Sequence, residues 1–227
     1  MTTPLTGPRL PPKSGETKQL VVFLHGYGAD GRDLIDIGKQ WQKLLPDCAF
    51  VSPNAPFPCA GAPMGKQWFP LTNRDPSERW KGAVEVRPTI DAFLDAELQA
   101  AGLDDSKLAI VGFSQGTMMA LHVGLRRQRA PGAIVGYSGV LVGADKLAEA
   151  TAKTPKGNPP PILLIHGSSD EVIPIEALFQ SGQQLAAANI PVEWHMAPGL
   201  GHGIDGGGLV HGGMFLAKAF GLKIPTR

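Results

Sequence analysis

The stretch KLAIVGFSQG, residues 107–116, decides how this chain folds. Leu108 to Val111 are apolar at four consecutive positions instead of at every second one, which is the pattern of a strand covered on both faces. TMMALHVGL at 117–125 then reads as a helix, so Gly112-Phe113-Ser114-Gln115-Gly116 must turn the chain between them. Working outward, VVFL at 21–24 and ILLI at 162–165 repeat the unbroken apolar run. Strands are expected over 19–25, 49–51, 107–112, 133–136, 161–166 and 192–196. Helical spacing of apolar residues appears over 32–45, 83–101, 115–128, 146–152, 175–188 and 209–220. Gly102 should stop the second of these helices, and Pro88 should start or kink it. Strands alternating with helices predict an α/β fold with a mostly parallel central sheet flanked by helices on both faces.

The chain has 227 residues, 43% of them hydrophobic, enough for one domain with a substantial core. Twenty-one basic and 20 acidic side chains leave a net charge of +1. Without a cationic excess to neutralise phosphates, nucleic acid is not an expected partner. Arg126, Arg127 and Arg129 cluster at a helix end, where cations complement the dipole. Cys48 and Cys59 cannot make a disulfide framework or a four-thiolate site, and His195 and His202 do not have zinc spacing. No metal and no cofactor are expected. Gly206-Gly207-Gly208 lacks the Lys and Ser/Thr of a phosphate loop and reads as slack for the loop at His202. No apolar run approaches the roughly 18 residues of a membrane span, and 1–15 lacks the apolar centre of a secretory signal. The expectation is a single cytoplasmic domain over 1–227, without stable membrane insertion and with 1–18 as an N-terminal extension. Residues 52–81 hold six prolines and read as an irregular insertion near the active site. Met64, Trp68, Phe69 and Trp80 within it argue for packing against the domain, either as the wall of an apolar groove or as pins to the core.

Gly112-Phe113-Ser114-Gln115-Gly116 fits the G-x-S-x-G elbow, in which a serine on a tight strand-to-helix turn presents its hydroxyl above the sheet. A helix N-cap serine would suit the same geometry. In Gly136-Tyr137-Ser138-Gly139, Val140 replaces the second glycine, so Ser138 reads as a turn residue. A serine needs a histidine to take its proton and a carboxylate to orient that histidine. On such a sheet the acid and then the histidine follow the serine. His25 precedes Ser114, His122 lies in the next helix, and His166 precedes the first plausible acid. His195 is in a strand and His211 in the last helix. His202, in the loop Pro198-Gly199-Leu200-Gly201-His202-Gly203, is the candidate base. Asp170, favoured over Glu171, leaves a strand end and is the candidate acid, although it could also cap the helix that follows. The oxyanion of acyl transfer needs fixed donors. Backbone N–H groups of Gln115 and of Tyr27, within His25-Gly26-Tyr27-Gly28, are the candidates.

LHGYGAD at 24–30, GFSQG at 112–116, HGSSDEVIP at 166–174 and GLGHGID at 199–205 together resemble the small carboxylesterase, lysophospholipase and acyl-protein thioesterase family of α/β-hydrolases. The resemblance runs from about residue 19 to 222. It implies an α/β-hydrolase fold without a separate lid domain, acting on carboxylic esters or thioesters through an acyl-enzyme and without a cofactor. It assigns Ser114 as nucleophile, Asp170 as acid, His202 as base, and Tyr27 and Gln115 as oxyanion donors. Trp68 and Phe69 match the family's Trp-aromatic element beside the acyl site, and Leu200 joins them as a substrate-binding candidate. Where family members often carry an aromatic, this chain has Gly139, Val140 and Leu141. The expected substrate is a small-molecule or lipid acyl ester, or an acylated protein, handled by a monomer or weak homodimer. A serine peptidase and a catalytically silent binding module on the same fold are the alternatives.

Overall fold

The computed structural model describes residues 4–73, 75–153 and 159–222. The first three residues of the expected extension, position 74 of the expected insertion, and positions 154–158 and 223–227 of the expected domain lie outside the described residues. The strands are β1 (Arg9–Leu10), β2 (Gln19–Leu24), β3 (Cys48–Val51), β4 (Phe57–Cys59), β5 (Ala62–Gln67), β6 (Leu108–Phe113), β7 (Ala133–Tyr137), β8 (Ile162–Gly167) and β9 (Val192–Ala197). The helices are α1 (Arg32–Trp41), α2 (Pro76–Ala101), α3 (Gln115–Gly124), α4 (Leu147–Lys153), α5 (Glu176–Ala187) and α6 (Gly206–Ala219). Among the described residues one sheet runs β1-β3-β2-β6-β7-β8-β9, with every pairing parallel except β1 with β3.

The consecutive apolar positions divide between two cores. Leu20, Val22, Leu24, Leu108 and Ile110 face one layer, formed with α2, α3 and α5. Val21, Phe23, Ala109 and Val111 face the other, formed with α1 and α6. Alternate side chains of a strand leave opposite faces, so a sheet covered twice selects apolar residues at every position.

Several sequence expectations change. The segment 1–18 is not a free appendage, because Arg9–Leu10 pairs with β3 and Leu5 is buried. The insertion 52–81 is not irregular throughout. Phe57–Cys59 and Ala62–Gln67 form an antiparallel hairpin, and the end of the segment is the first turns of α2. That helix begins at Pro76 and continues through Pro88, because Asp75 accepts the Glu78 N–H at 2.8 Å and a proline is free to occupy the first turn. Gly102 ends it at φ 65°, as expected. Gly206-Gly207-Gly208 is not slack but the first turn of α6, capped by Asp205 Oδ1 on the Gly208 N–H at 2.7 Å. Arg127 does more than complement a dipole. Its buried guanidinium pairs with Asp91, Asp95 and Asp105 and ties α2 to the entry of β6.

The elbow depends on the absence of two side chains. A Cβ on Gly116 would stand 1.7 Å from Leu24 O, and one on Gly112 would stand 2.3 Å from the Gly116 carbonyl. Gly116→Ala is therefore expected to cost about 3 kcal/mol or more through overpacking against backbone. Gly206→Ala, where a Cβ meets nothing within 4 Å, should be neutral or mildly stabilising. Urea unfolding of both variants against the parent checks the contrast.

His122, on α3, is 1% exposed and neither ring nitrogen has a hydrogen-bond partner among the described residues. Burial, followed by the charges of Arg126 and Arg87, pushes it down to about 3. A histidine depressed in the folded state contributes stability above its unfolded value near 6.5 and loses it as pH falls toward 3. Between pH 7 and pH 4.5 the parent should lose about 2 kcal/mol more than His122→Phe does. Equal losses in paired urea titrations would count against this origin.

Candidate active site

Ser114 sits between β6 and α3 with φ 54° and ψ −115°, a conformation unusual for a residue with a side chain. Its surroundings hold it there. The Ser114 N–H donates to Tyr137 O at 2.9 Å, and Thr117 Oγ1 donates to Gly112 O and Tyr137 O, each at 2.8 Å. The serine is half-buried, and Gln115 begins the helix directly behind it. A first-turn N–H has no acceptor within its own helix.

The loop after β2 passes beside this serine, since a Cβ on Gly26 would stand 3.5 Å from Ser114 Cβ. His25 clamps that loop. Its Nε2 accepts the Ala55 N–H at 3.0 Å, so Nδ1 carries the proton and donates to Gly26 O at 2.8 Å. Burial pushes His25 below its usual value, which suits this neutral tautomer. Trp68 Nε1–H donates to His25 O at 2.9 Å. The Gln115 side chain accepts the Trp68 N–H at 3.0 Å and donates to Phe69 O at 2.7 Å. The hairpin adds Gly28 N–H to Lys66 O at 2.9 Å and Lys66 N–H to Ala29 O at 2.7 Å. The loop carrying Tyr27 is thus fastened to the nucleophile's neighbour through the insertion.

Asp170 leaves β8, and His202 lies in the loop beyond β9. The two loops are laced together by Ser168 N–H to Ala197 O at 3.0 Å, Ser169 N–H to Leu200 O at 2.9 Å and Gly199 N–H to Ser168 Oγ at 2.8 Å. His202 Nδ1 is 2.8 Å from Asp170 Oδ2. A carboxylate can only accept from this ring, so Nδ1 carries the proton and Nε2 keeps a lone pair. Burial alone would raise the Asp170 carboxyl. The Ile173 N–H, His202 and the Val172 N–H outweigh it and hold the group below its ordinary range. The His202 ring also rests on Phe113, next to Ser114, with centroids 5.0 Å apart. Asp170 does cap a turn, through Val172 and Ile173, but that is not the start of α5.

Ser138 is buried, and its Oγ donates to Gly203 O at 3.2 Å, which anchors the histidine loop. His211 does lie in α6 and His195 in β9, where their rings stack at 4.0 Å. His166 bears on the site more closely than its sequence position suggests, with Nε2 at 3.2 Å from Asp170 Oδ2. The spacing His166-Gly167-Ser168-Ser169-Asp170 at a strand end was the available signal.

The substrate-binding expectation needs correcting for Trp68 and Phe69. Their exposures are 0% and 1%, so they present no surface to a ligand: Trp68 bonds the His25 carbonyl and Phe69 packs on Gly82 of α2. Met64, at 82% exposed, stands out on the hairpin. Trp80 instead lines a cleft of about 680 Å3 with Arg79, Val140, Leu141 and Gln180. Gly139, which precedes Val140 in the chain, packs on Thr117 and the Ser114 carbonyl. Leu200 is half-buried at the junction of the acid and histidine loops. Among the described residues no cluster of three or more potential metal ligands occurs, and no helix is long and apolar enough to cross a membrane.

Residues 6–219 match the model of the phospholipase/carboxylesterase family. The chain is 42% identical to esterase PE8 in its crystal structure, covering 96% of this chain and 100% of that one with a TM-score of 0.90. It is 28% identical to the esterase YpfH of Escherichia coli K12 over 83% of this chain and 77% of that protein. It is 30% identical to acyl-protein thioesterase 1 of Schizosaccharomyces pombe over 68% of this chain and 69% of that one.

The Trp68 indole tests the clamp. Trp68→Phe keeps most of the ring but leaves the buried His25 carbonyl without its donor, a loss of about 1–3 kcal/mol. A lower melting temperature and a reduced kcat on a soluble ester, with KM and acyl-length preference unchanged, are expected. A changed length preference would instead make Trp68 a groove residue.

Proposed function

The chain belongs to the phospholipase/carboxylesterase family, whose chemistry is hydrolysis of carboxylic esters and thioesters, and we propose that it performs this hydrolysis with Ser114 as nucleophile, His202 as base and Asp170 as acid. The observation that carries the reading is the 2.8 Å hydrogen bond from His202 Nδ1 to Asp170 Oδ2, which leaves Nε2 as the ring's proton acceptor. Ser114 Oγ attacks the acyl carbonyl while His202 takes its proton. The backbone N–H groups of Gln115 and Tyr27 receive the charge that develops on the carbonyl oxygen. His202 then returns the proton to the leaving alcohol or thiol, and water releases the acyl group by the reverse path. Asp170 keeps the tautomer and stabilises the imidazolium without taking its proton. No step calls for a cofactor.

The cleft beside Trp80 is the proposed acyl site. Its lining is apolar at Val140, Leu141 and Trp80, and Val140 follows Gly139, which packs on the Ser114 carbonyl. Acylated substrates, whether lipid esters or acylated proteins like those named for the thioesterase relatives, present such a chain.

Hydrolysis of an acyl-ester series from acetyl to palmitoyl tests both parts. Ser114→Ala should lower kcat/KM by about 10⁴-fold or more. Val140→Trp, which fills the cleft, should shift the preferred acyl length downward with little change on acetyl esters. Activity retained in Ser114→Ala would remove the nucleophile assignment, and an unchanged length profile in Val140→Trp would remove the cleft. An unsubstituted protein inert to every ester, and unlabelled at Ser114 by a phosphonate, would turn the reading to a silent binding module.

A further inference from the structure

The Asp170 carboxylate has no solvent-accessible surface on its side chain, so every lone pair left unmatched is a direct loss. Two carboxylate oxygens offer about four accepting positions. Oδ1 accepts the N–H groups of Val172 and Ile173, both at 2.9 Å, and Oδ2 accepts His202 Nδ1–H at 2.8 Å. A further ring nitrogen approaches Oδ2 from the end of β8. His166, 1% exposed there, places Nε2 at 2.8 Å from Ile173 O and 3.2 Å from Asp170 Oδ2. The Ile173 carbonyl cannot donate, so Nε2 of His166 carries the proton that bonds it, and that N–H lies beside Asp170 Oδ2. Among the described residues the ion pairs of Asp170 are with these two histidines alone.

We propose that His166 is a positioning residue for the acid: its Nε2–H, bonded to Ile173 O and standing 3.2 Å from Asp170 Oδ2, fixes the turn that holds the carboxylate at the rotation in which Oδ2 meets His202. The inference rests on the triad reading above. Ile173 makes the arrangement rigid, since its N–H grips Oδ1 while its carbonyl grips the His166 ring. The carboxylate cannot rotate about its Cβ–Cγ bond without breaking contacts at both oxygens. The positive end of the His166 N–H dipole also lies 3.2 Å from Oδ2 and offsets part of its negative charge. Its removal should therefore concentrate that charge on His202 and favour the imidazolium, while letting the carboxylate turn.

His166→Met removes the donor at similar volume, and His166→Gln keeps an amide N–H at about the reach of Nε2. In His166→Met, kcat on a soluble ester should fall roughly ten- to hundredfold, the effect of losing one hydrogen bond to a charged group. KM should stay nearly constant, and the acidic limb of the kcat/KM profile should move to higher pH. His166→Gln should restore most of the rate and the original limb. A folded His166→Met with the parent kcat and pH profile would overturn the inference. Should that variant not fold, ring-nitrogen NMR on the unsubstituted protein decides: a His166 protonated at Nε2 supports the role, and one protonated at Nδ1 alone overturns it. Ser114→Ala, run alongside, separates the two levels. Activity surviving there refutes the triad itself, whereas its loss together with an unaffected His166→Met refutes only the positioning role.

Discussion

The Gly116 backbone lies so close to the Leu24 carbonyl that a methyl group there would overlap it. Much of the site's geometry follows from that contact. It presses α3 onto the ends of β2 and β6, neighbours at the centre of the sheet, and every residue of α3 is buried as a result. With the helix held that close, the chain can connect β6 to α3 only by a turn of extreme tightness. Ser114 absorbs it at φ 54°. The strain is held by the sheet through Tyr137 O and by Thr117, which belong to the scaffold and not to the reacting groups. The same approach brings the loop after β2 beside the serine, so Ser114 and the loop carrying Tyr27 are set by one packing event.

The polar groups around the site follow a consistent division of roles. Each histidine near it has its tautomer assigned by a neighbour that can only accept or only donate. Ala55 N–H fixes His25, Ile173 O fixes His166 and Asp170 fixes His202. His25 and His166 spend their protons on holding loops, whereas His202 turns its Nδ1–H to Asp170. The buried insertion residues do similar work. Gln115, Trp68 and His25 form a continuous hydrogen-bonded link from the nucleophile's neighbour to the loop opposite. Burial makes each of these bonds costly to lose, which keeps the site's donors preorganised before any substrate arrives.

Legibility in the sequence followed the range of the interactions concerned. Runs such as LAIV and ILLI reveal strands covered on both faces, because burial is a property of each residue's immediate surroundings. The β4–β5 hairpin and β1 went unread. Prolines mask a strand whose pairing is with a short neighbour, and a two-residue strand has no period to detect. The early start of α2 was legible in Asp75-Pro76-Ser77-Glu78, a cap followed by a first-turn proline, but the prolines around it drew the reading toward loop. Trp68 and Phe69 illustrate the opposite case. Two aromatics in a loop near a nucleophile read as a ligand wall, yet their side chains point under the loop and not into the cleft.

Legible in the residues alone are the doubly covered parallel sheet, the tight turn at Ser114 and the succession of Asp170 and His202 after it. These rest on residue type and local spacing, and such information is carried in the chain's own order. The tertiary structure alone decided which buried groups face one another. It turned the insertion into the support of the loop carrying Tyr27, put Trp80 with Val140 and Leu141 at a cleft, and set His166 against Asp170. The 3.2 Å approach of His166 to Asp170 depends on how the turn after β8 closes under the Leu200 loop. The four-residue spacing makes the approach possible, but packing between segments far apart in the chain, such as Leu200 O on the Ser169 N–H, sets its geometry.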